Sequence, residues 1–326
     1  VMLQLIPFGE DTEELRRYAR GDRVSIMAIR YAQARFSAYP NILWCISNDR
    51  EIVGNETPLT GRRIRAKTIN QIGRDMAKRE PWKTLITNHQ SRFKGYAFVD
   101  APWSDIITLE DLDQTSGEVI AAYRSQGDDP IVLDEDRYEQ YRAPEHPRYY
   151  FRRLMWSSLL SGGAATYGGL RTYEPKGYVP TNPQGRKNPE GRGVYGYFDA
   201  VSQGQLKRGA HDFVFIHQFF RDANLTLVGM TPDDAIVGGD SARWKCMHRD
   251  NVFVVYLANP SGSRPESDES SVRPPSVTIQ LPKGQFAVKW FQPNTGQWAV
   301  GGTGASGAQS FLAPGSGDWV LLLRAE

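Results

Sequence analysis

The sequence predicts an α/β protein with an all-β tail: a parallel sheet flanked by helices over residues 1–225, then a small β-sandwich over 226–326. Three observations predict it. Up to residue 225, apolar runs of strand length alternate with helical stretches, the repeat that a parallel sheet requires. Those runs are apolar at consecutive rather than alternate positions, which suits strands buried on both faces. After Leu225 the helical period disappears, and short strands separated by Gly, Pro and Asn turns follow.

VMLQLIPF is the first strand. Helical sequence starts at Thr12, with Glu13 and Glu14 in the first turn, where the helix dipole favours acids. The next helical stretch has an apolar face of Val24, Met27, Ala28, Tyr31, Ala34 and Ala38, and Pro40 stops it. NILWCIS (41–47) is the second strand and residues 62–79 the following helix. TLITN (84–88), DIITL (105–109) and PIVLD (130–134) are the third to fifth strands, with a helix over 114–126 before the last. A helix over 147–161 carries Tyr150, Leu154 and Leu160, and AATYGG is a short sixth strand. A Gly/Pro/Asn-rich loop over 170–207 leads into the helix HDFVFIHQFFRDA. In the tail, FVVYLANP, SVTIQLP, QFAVKWFQP, GQWAVGG and DWVLLLR read as strands.

Composition narrows the function. A formal net charge of +2, with no basic block or basic stripe interleaved with aromatics, gives no push toward nucleic acid. No apolar run approaches the roughly 20 residues that cross a bilayer. Cys45 lies in an apolar strand and Cys246 in the tail, so they read as two unpaired thiols. The five histidines are scattered, and HExxH, CxxC, a Walker loop and a GxGxxG after a strand are all missing, so no metal and no nucleotide cofactor is expected.

In parallel α/β folds, active sites collect at the carboxyl ends of the strands, where the loops converge. The second strand ends at Asn48-Asp49, the third at Asn88-His89, the fourth at Glu110-Asp111 and the fifth at Asp134-Glu135. Two carboxylates facing one crevice are the minimum equipment for glycoside hydrolysis, one protonating the leaving oxygen, the other attacking the sugar or activating water. Aromatic residues near these ends, Trp44, Trp103, Tyr138, Trp156 and Tyr167, suit stacking on sugar rings. Each acid has a second explanation, as a turn former or helix cap.

Several segments resemble the apiosidase-like glycoside hydrolases, in that family's order and over nearly the whole chain. AYPNILWCISNDRE resembles their fourth-strand segment, PIVLDEDRYE their seventh and LLSGGAATYGG their eighth. VKWFQPNTGQW and GDWVLLL resemble the accompanying tail domain, labelled as collagen-binding. The resemblance implies a (β/α)8 TIM-type barrel and a retaining glycoside hydrolase acting on a polysaccharide or oligosaccharide. It implies Asp49 as acid/base and Glu135 as nucleophile. Ser47-Asn48 stands where the family often has Gly-Gly, which gives Asn48 a role at a sugar hydroxyl. Asp136 stands where the family commonly has Pro, and Arg137 is the nearest cation to offset it.

Only six βα units are visible where the barrel needs eight, and the match begins at the third strand. The expectation is that the first two units come from a missing N-terminal segment, in a longer chain or as a separate associated chain. His89, Trp103, Glu110, Tyr138 and Tyr167 are the further substrate-binding candidates, with Glu139 as a brace for the seventh-strand loop. A secreted or periplasmic location follows from the substrate class alone. The competing function is a non-catalytic glycan- or matrix-binding protein on the same scaffold, and a lyase is a third.

Overall fold

The computed structural model describes residues 2–9, 12–91, 95–110, 115–135, 148–167, 211–239, 244–259 and 273–326. Tyr138, Asp111, Asp136, Arg137, Glu139 and the segment 170–207 lie outside the described residues. The chain divides into two compact units, one of Val1–Leu112 with Gln126–Asp134, the other of Asp113–Ser125 with Glu135–Glu326.

The first unit contains β1 (Leu3–Leu5), α1 (Thr12–Ala19), α2 (Arg23–Phe36), β2 (Ile42–Cys45), β3 (Glu51–Val53), β4 (Arg63–Arg65), α3 (Ala66–Arg79), β5 (Ile86–Thr87) and β6 (Ile107–Leu109). After α4 (Glu118–Arg124), which belongs to the second unit, it adds β7 (Ile131–Leu133). β1, β2 and β5 pair in parallel, with Leu5 opposite Trp44 and Trp44 opposite Ile86. β6 and β7 are likewise parallel. Parallel bridges from Gln90 to Arg50 and to Leu109 join the two groups. The order in space, β1-β2-β5-β6-β7, is therefore the order along the chain, as successive βα units produce. The ribbon of β3 and β4 stands apart, Glu51–Val53 pairing with Arg63–Arg65. That pairing takes the first residues of the helix expected over 62–79, which starts only at Ala66.

Helix α2 corrects the sequence reading. Asp22 caps it by accepting from the Ser25 N–H at 2.9 Å. Yet all six residues of the expected apolar face are exposed, and Ser25, Ile29 and Gln33 are buried instead. Two of those are polar but hydrogen-bonded. Gln33 Nε2 donates to the Met76 carbonyl at 3.1 Å, and Ser25 Oγ donates to Glu14 at 2.9 Å. A hydrogen-bonded polar side chain can sit inside at little cost, so polarity alone misassigns the face. Helix α3 follows the simple rule, with Ile69, Ile72, Gly73 and Met76 on its buried stripe.

The second unit holds α4, α5 (Arg148–Leu160), β8 (Ala164–Ala165) and α6 (Phe213–Asp222), then β9 (Thr231–Pro232) and β10 (Val237–Gly239). It ends with β11 (Lys245–Arg249), β12 (Val252–Leu257), β13 (Ser276–Gln292), β14 (Gln297–Leu312) and β15 (Trp319–Ala325). Where two separate sheets were expected in the tail, one continuous seven-stranded sheet runs β10-β13-β15-β12-β11-β9, with β14 also on β13. β13 is shared by both halves. Its first part pairs with β10 and its second with β15, on either side of a register shift between Leu281 and Gln285. Bulges of this kind bend a strand, so one sheet can fold over its own core.

The side-chain period of two sorts that sheet into two cores. Phe253, Val255, Leu257, Trp319, Leu321 and Leu323 face one, with Ile279 and Phe286. Val254, Tyr256, Val320 and Leu322 face the other, where Trp156 and Leu160 of α5 and Ile216 and Phe219 of α6 cover them. Beside this second core lies a buried charge network. Asp318 accepts from Arg152 Nε at 2.9 Å, Arg153 Nε at 3.2 Å, the Tyr256 hydroxyl at 2.7 Å and the Asn259 N–H at 2.6 Å. Arg152 also pairs with buried Asp212 at 2.6 Å.

Candidate active site

The strand ends of the first unit converge through His89. Strand β2 continues through buried Ile46 and Ser47 to Asn48 and Asp49. His89, two residues past β5, is only 1% exposed. Its Nε2 lies 3.1 Å from the Asp134 carbonyl beyond β7, and its Nδ1 lies 2.9 Å from Asn48 Oδ1 and 3.4 Å from the Asp49 N–H. A carbonyl can only accept, so Nε2 carries the proton. Nδ1 accepts from the Asp49 N–H, with Asn48 Oδ1 beside it. The histidine thereby fixes three chain segments: the ends of β2 and β7 and its own strand. Ser47 Oγ donates to Asn88 Oδ1 at 2.7 Å in the same buried layer.

Asp49 is held with a backbone φ of 48°, in the left-handed region that ordinary residues avoid. Its carboxylate forms an ion pair with Arg62, at the start of the β4 segment. Arg50, next in the chain, is 1% exposed and donates to the Gly9 carbonyl at 3.3 Å. Glu110 is buried at the end of β6. Trp103 is 2% exposed: its indole N–H donates to Asn70 Oδ1 at 2.9 Å, and its ring lies against Gly73 of α3 and Phe98. That is the loop-anchor arrangement, with the ring face occupied by protein. Cys45 is a free thiol whose burial pushes it up to about 12, so it is not a nucleophile at neutral pH. Burial likewise pushes the Tyr96 phenol up to about 12, and its hydroxyl lies 2.7 Å from Ser104 Oγ.

In the second unit, Glu135 follows β7 in the chain and also has a positive φ, 68°. Its N–H donates to Thr166 Oγ1 at 2.9 Å. Tyr167 is half-buried, its ring edge-to-face with Phe151 at 5.3 Å and Phe213 at 5.5 Å. Sequence reasoning did not single out Arg62 or Thr166. Asn88 was visible as a polar strand end. Arg62 stands thirteen residues after Asp49 in an Arg-rich run, and nothing in that run marks it as the partner.

Residues 24–178 match the model of the apiosidase-like catalytic domain. This stretch contains Asn48, Asp49, His89, Trp103, Glu110, Glu135, Tyr138 and Tyr167, and the β-strands after residue 226 lie outside it. No curated protein sequence matches the chain. A crystal structure of a glycoside hydrolase family 5 protein from Bacteroides vulgatus is similar in fold, with a TM-score of 0.73 and 15% identity over 100% of this chain and 70% of that one. A second solved structure, described as a glycoside hydrolase, has a TM-score of 0.66 and 15% identity over 95% of this chain and 71% of the other. The match over residues 24–178, just under half of the chain, and the fold shared with these two structures support a glycoside hydrolase with an apiosidase-like catalytic domain.

Proposed function

We propose that this glycoside hydrolase cleaves an oligosaccharide or polysaccharide with retention of configuration, Asp49 serving as acid/base and Glu135 as nucleophile. The observation that carries this reading is backbone strain. Among the described residues five non-glycines have positive φ, and two are these acids, shortly beyond β2 and β7. Strain of this kind concentrates where function demands a particular side-chain direction. In the first step the Glu135 carboxylate bonds to the anomeric carbon, the glycosidic C–O bond breaks, and the Asp49 carboxyl gives its proton to the departing oxygen. In the second, Asp49 takes a proton from water, whose oxygen bonds to the anomeric carbon and releases Glu135. The acid role requires Asp49 to be protonated, so substrate must draw Arg62 away from it.

Asn48 and Glu110 are the substrate-binding candidates that this reading keeps, and Tyr138 joins them from its place in the matched domain. His89 acts as a positioning residue, through Asn48 and the Asp49 backbone. The parallel strands fit part of a (β/α)8 barrel. A secreted or periplasmic location suits a polymeric substrate.

The test is a glycan panel with Glu135→Gln and Asp49→Asn. Each variant should lose about 10²–10⁴-fold or more in turnover on a substrate the wild type cleaves. Azide should restore Glu135→Ala through a glycosyl azide of inverted configuration. NMR of the first-formed sugar should show the substrate's anomeric form. A fully active Glu135→Gln enzyme, or an inverted first product, defeats the assignment.

A further inference from the structure

The face of the β-sheet that α5 and α6 cover does not end where the helices end. Phe291 and Leu322 lie under that cover. By the period of two, the same face continues to Ala287 and Lys289 on β13, Trp298 and Val300 on β14, and Arg324 on β15. The register sets these side by side: Ala287 opposite Arg324, and Lys289 opposite both Leu322 and Val300. Helix α6 stops at Asp222, leaving a cavity of about 380 Å3 lined by these residues and by Asp222. That volume is in the range of small-molecule sites, about 300–1,000 Å3.

We propose that this cavity is a saccharide-binding site of the β-domain, separate from bond cleavage. Its parts are held in place. Phe219 stacks on Trp298 at 5.3 Å with 17° between the rings, fixing the indole. The Arg324 guanidinium donates to the Ala223 carbonyl at 2.7 Å, where the end of α6 favours a cation. The floor is apolar, with small Ala287 making the hollow. The rim combines donors, Lys289 and Arg324, with an acceptor, Asp222. A sugar complements that combination: its C–H face meets Trp298 and the apolar floor, and its hydroxyls both donate and accept. A phosphate or sulfate would meet the Asp222 carboxylate and gain nothing from the indole. Val300 is 88% exposed at the rim, so a longer chain can pass over it.

The experiment is affinity electrophoresis of the full chain in gels containing xyloglucan, glucomannan, arabinogalactan or polygalacturonate. It compares the wild type, a Lys289→Ala/Val300→Glu double variant and Glu135→Gln. Both rim positions are exposed, so the double variant should keep its circular dichroism spectrum and its turnover of small soluble oligosaccharides. The expected result is retardation of the wild type and Glu135→Gln by at least one neutral polysaccharide, and free migration of the double variant. No retardation of the wild type, equal retardation of the double variant, or retardation by polygalacturonate alone overturns the proposal. If equal retardation of the double variant accompanies an inactive Glu135→Gln, this site falls and the catalytic reading stands. A double variant that migrates freely beside a fully active Glu135→Gln gives the reverse.

Discussion

Replacing Asp318 by Asn tests whether the charge network of the β-containing unit is a cooperative device or a set of independent contacts. The substitution keeps the shape and removes the charge. At wild type the carboxylate faces two guanidiniums that are each no more than 1% exposed. Arg152 keeps Asp212 at 2.6 Å, while Arg153 loses its pairing with Asp318 and retains the face of Tyr149 at 4.0 Å. Removing one member of a buried ion pair costs about 3–5 kcal/mol. With a urea dependence of about 3 kcal/mol per molar for a protein of this size, the unfolding midpoint should fall by roughly 1 to 1.7 M. Adding Arg153→Met should recover part of the loss, because it removes one of the two cations that faced Asp318. Acid gives a second reading. Burial opposes the Asp318 charge, but Arg153 and Arg152 outweigh it and hold the carboxyl below its usual range. A depressed group stabilises the fold above its unfolded pKa, about 3.9, and loses that contribution as pH falls through the folded value. The gap between wild type and Asp318→Asn should therefore be full at pH 7 and narrow below about pH 4. A midpoint shift under about 0.3 M, or strict additivity with Arg153→Met, would refute the reasoning.

Three further outcomes are expected. Gly73→Ala places a Cβ 2.3 Å from the Trp103 ring, and overpacking of about 1–3 kcal/mol should exceed the helix-propensity gain of about 1 kcal/mol, lowering the melting temperature. Arg62→Gln removes the cation beside Asp49, so the alkaline limb of kcat/KM should move to higher pH if Asp49 is the acid; movement of the acidic limb instead would exchange the two carboxyl roles. His89→Ala should lower kcat far more than it raises KM, since the imidazole holds Asn48 and the Asp49 N–H and is buried; a change confined to KM would make His89 a substrate contact.

The sequence makes the βα order legible because each strand is a run of consecutive apolar residues and each ends in polar groups. NILWCIS and PIVLD are found within a residue or two of where β2 and β7 lie. Helix α2 was misread for a different reason. Gln33 and Ser25 face inward only because Met76 and Glu14 meet them there, and no local pattern states that a distant partner exists. Trp103 raised the same difficulty. An aromatic beside a strand end suits a sugar, yet Gly73, thirty residues earlier, leaves the space that takes its ring. β12 and β15 could be read as apolar strands, but not that β13 bends and serves both halves of one sheet. Long-range partners, not local propensities, account for these differences.

The strain at the two acids permits a sharper test than loss of activity. Of the other described non-glycine residues with positive φ, Asn224 after α6 and Asp250 in the β11–β12 hairpin sit at turns, and Lys83 precedes β5. Asp49 and Glu135 lie in bends shortly beyond β2 and β7, strands of the parallel sheet. A side chain in the left-handed region costs about 1–2 kcal/mol, and glycine escapes that cost while adding about 0.5–1 kcal/mol of unfolded-state entropy. Asp49→Gly and Glu135→Gly should therefore be as stable as, or up to about 1.5 kcal/mol more stable than, Asp49→Ala and Glu135→Ala, although all four are inactive. Ordinary strand positions rank the other way, because alanine there keeps its entropic advantage. Urea midpoints for the four variants decide the matter. Alanine more stable than glycine at both sites would mean that the backbone is relaxed there, and strain would no longer single out these carboxylates.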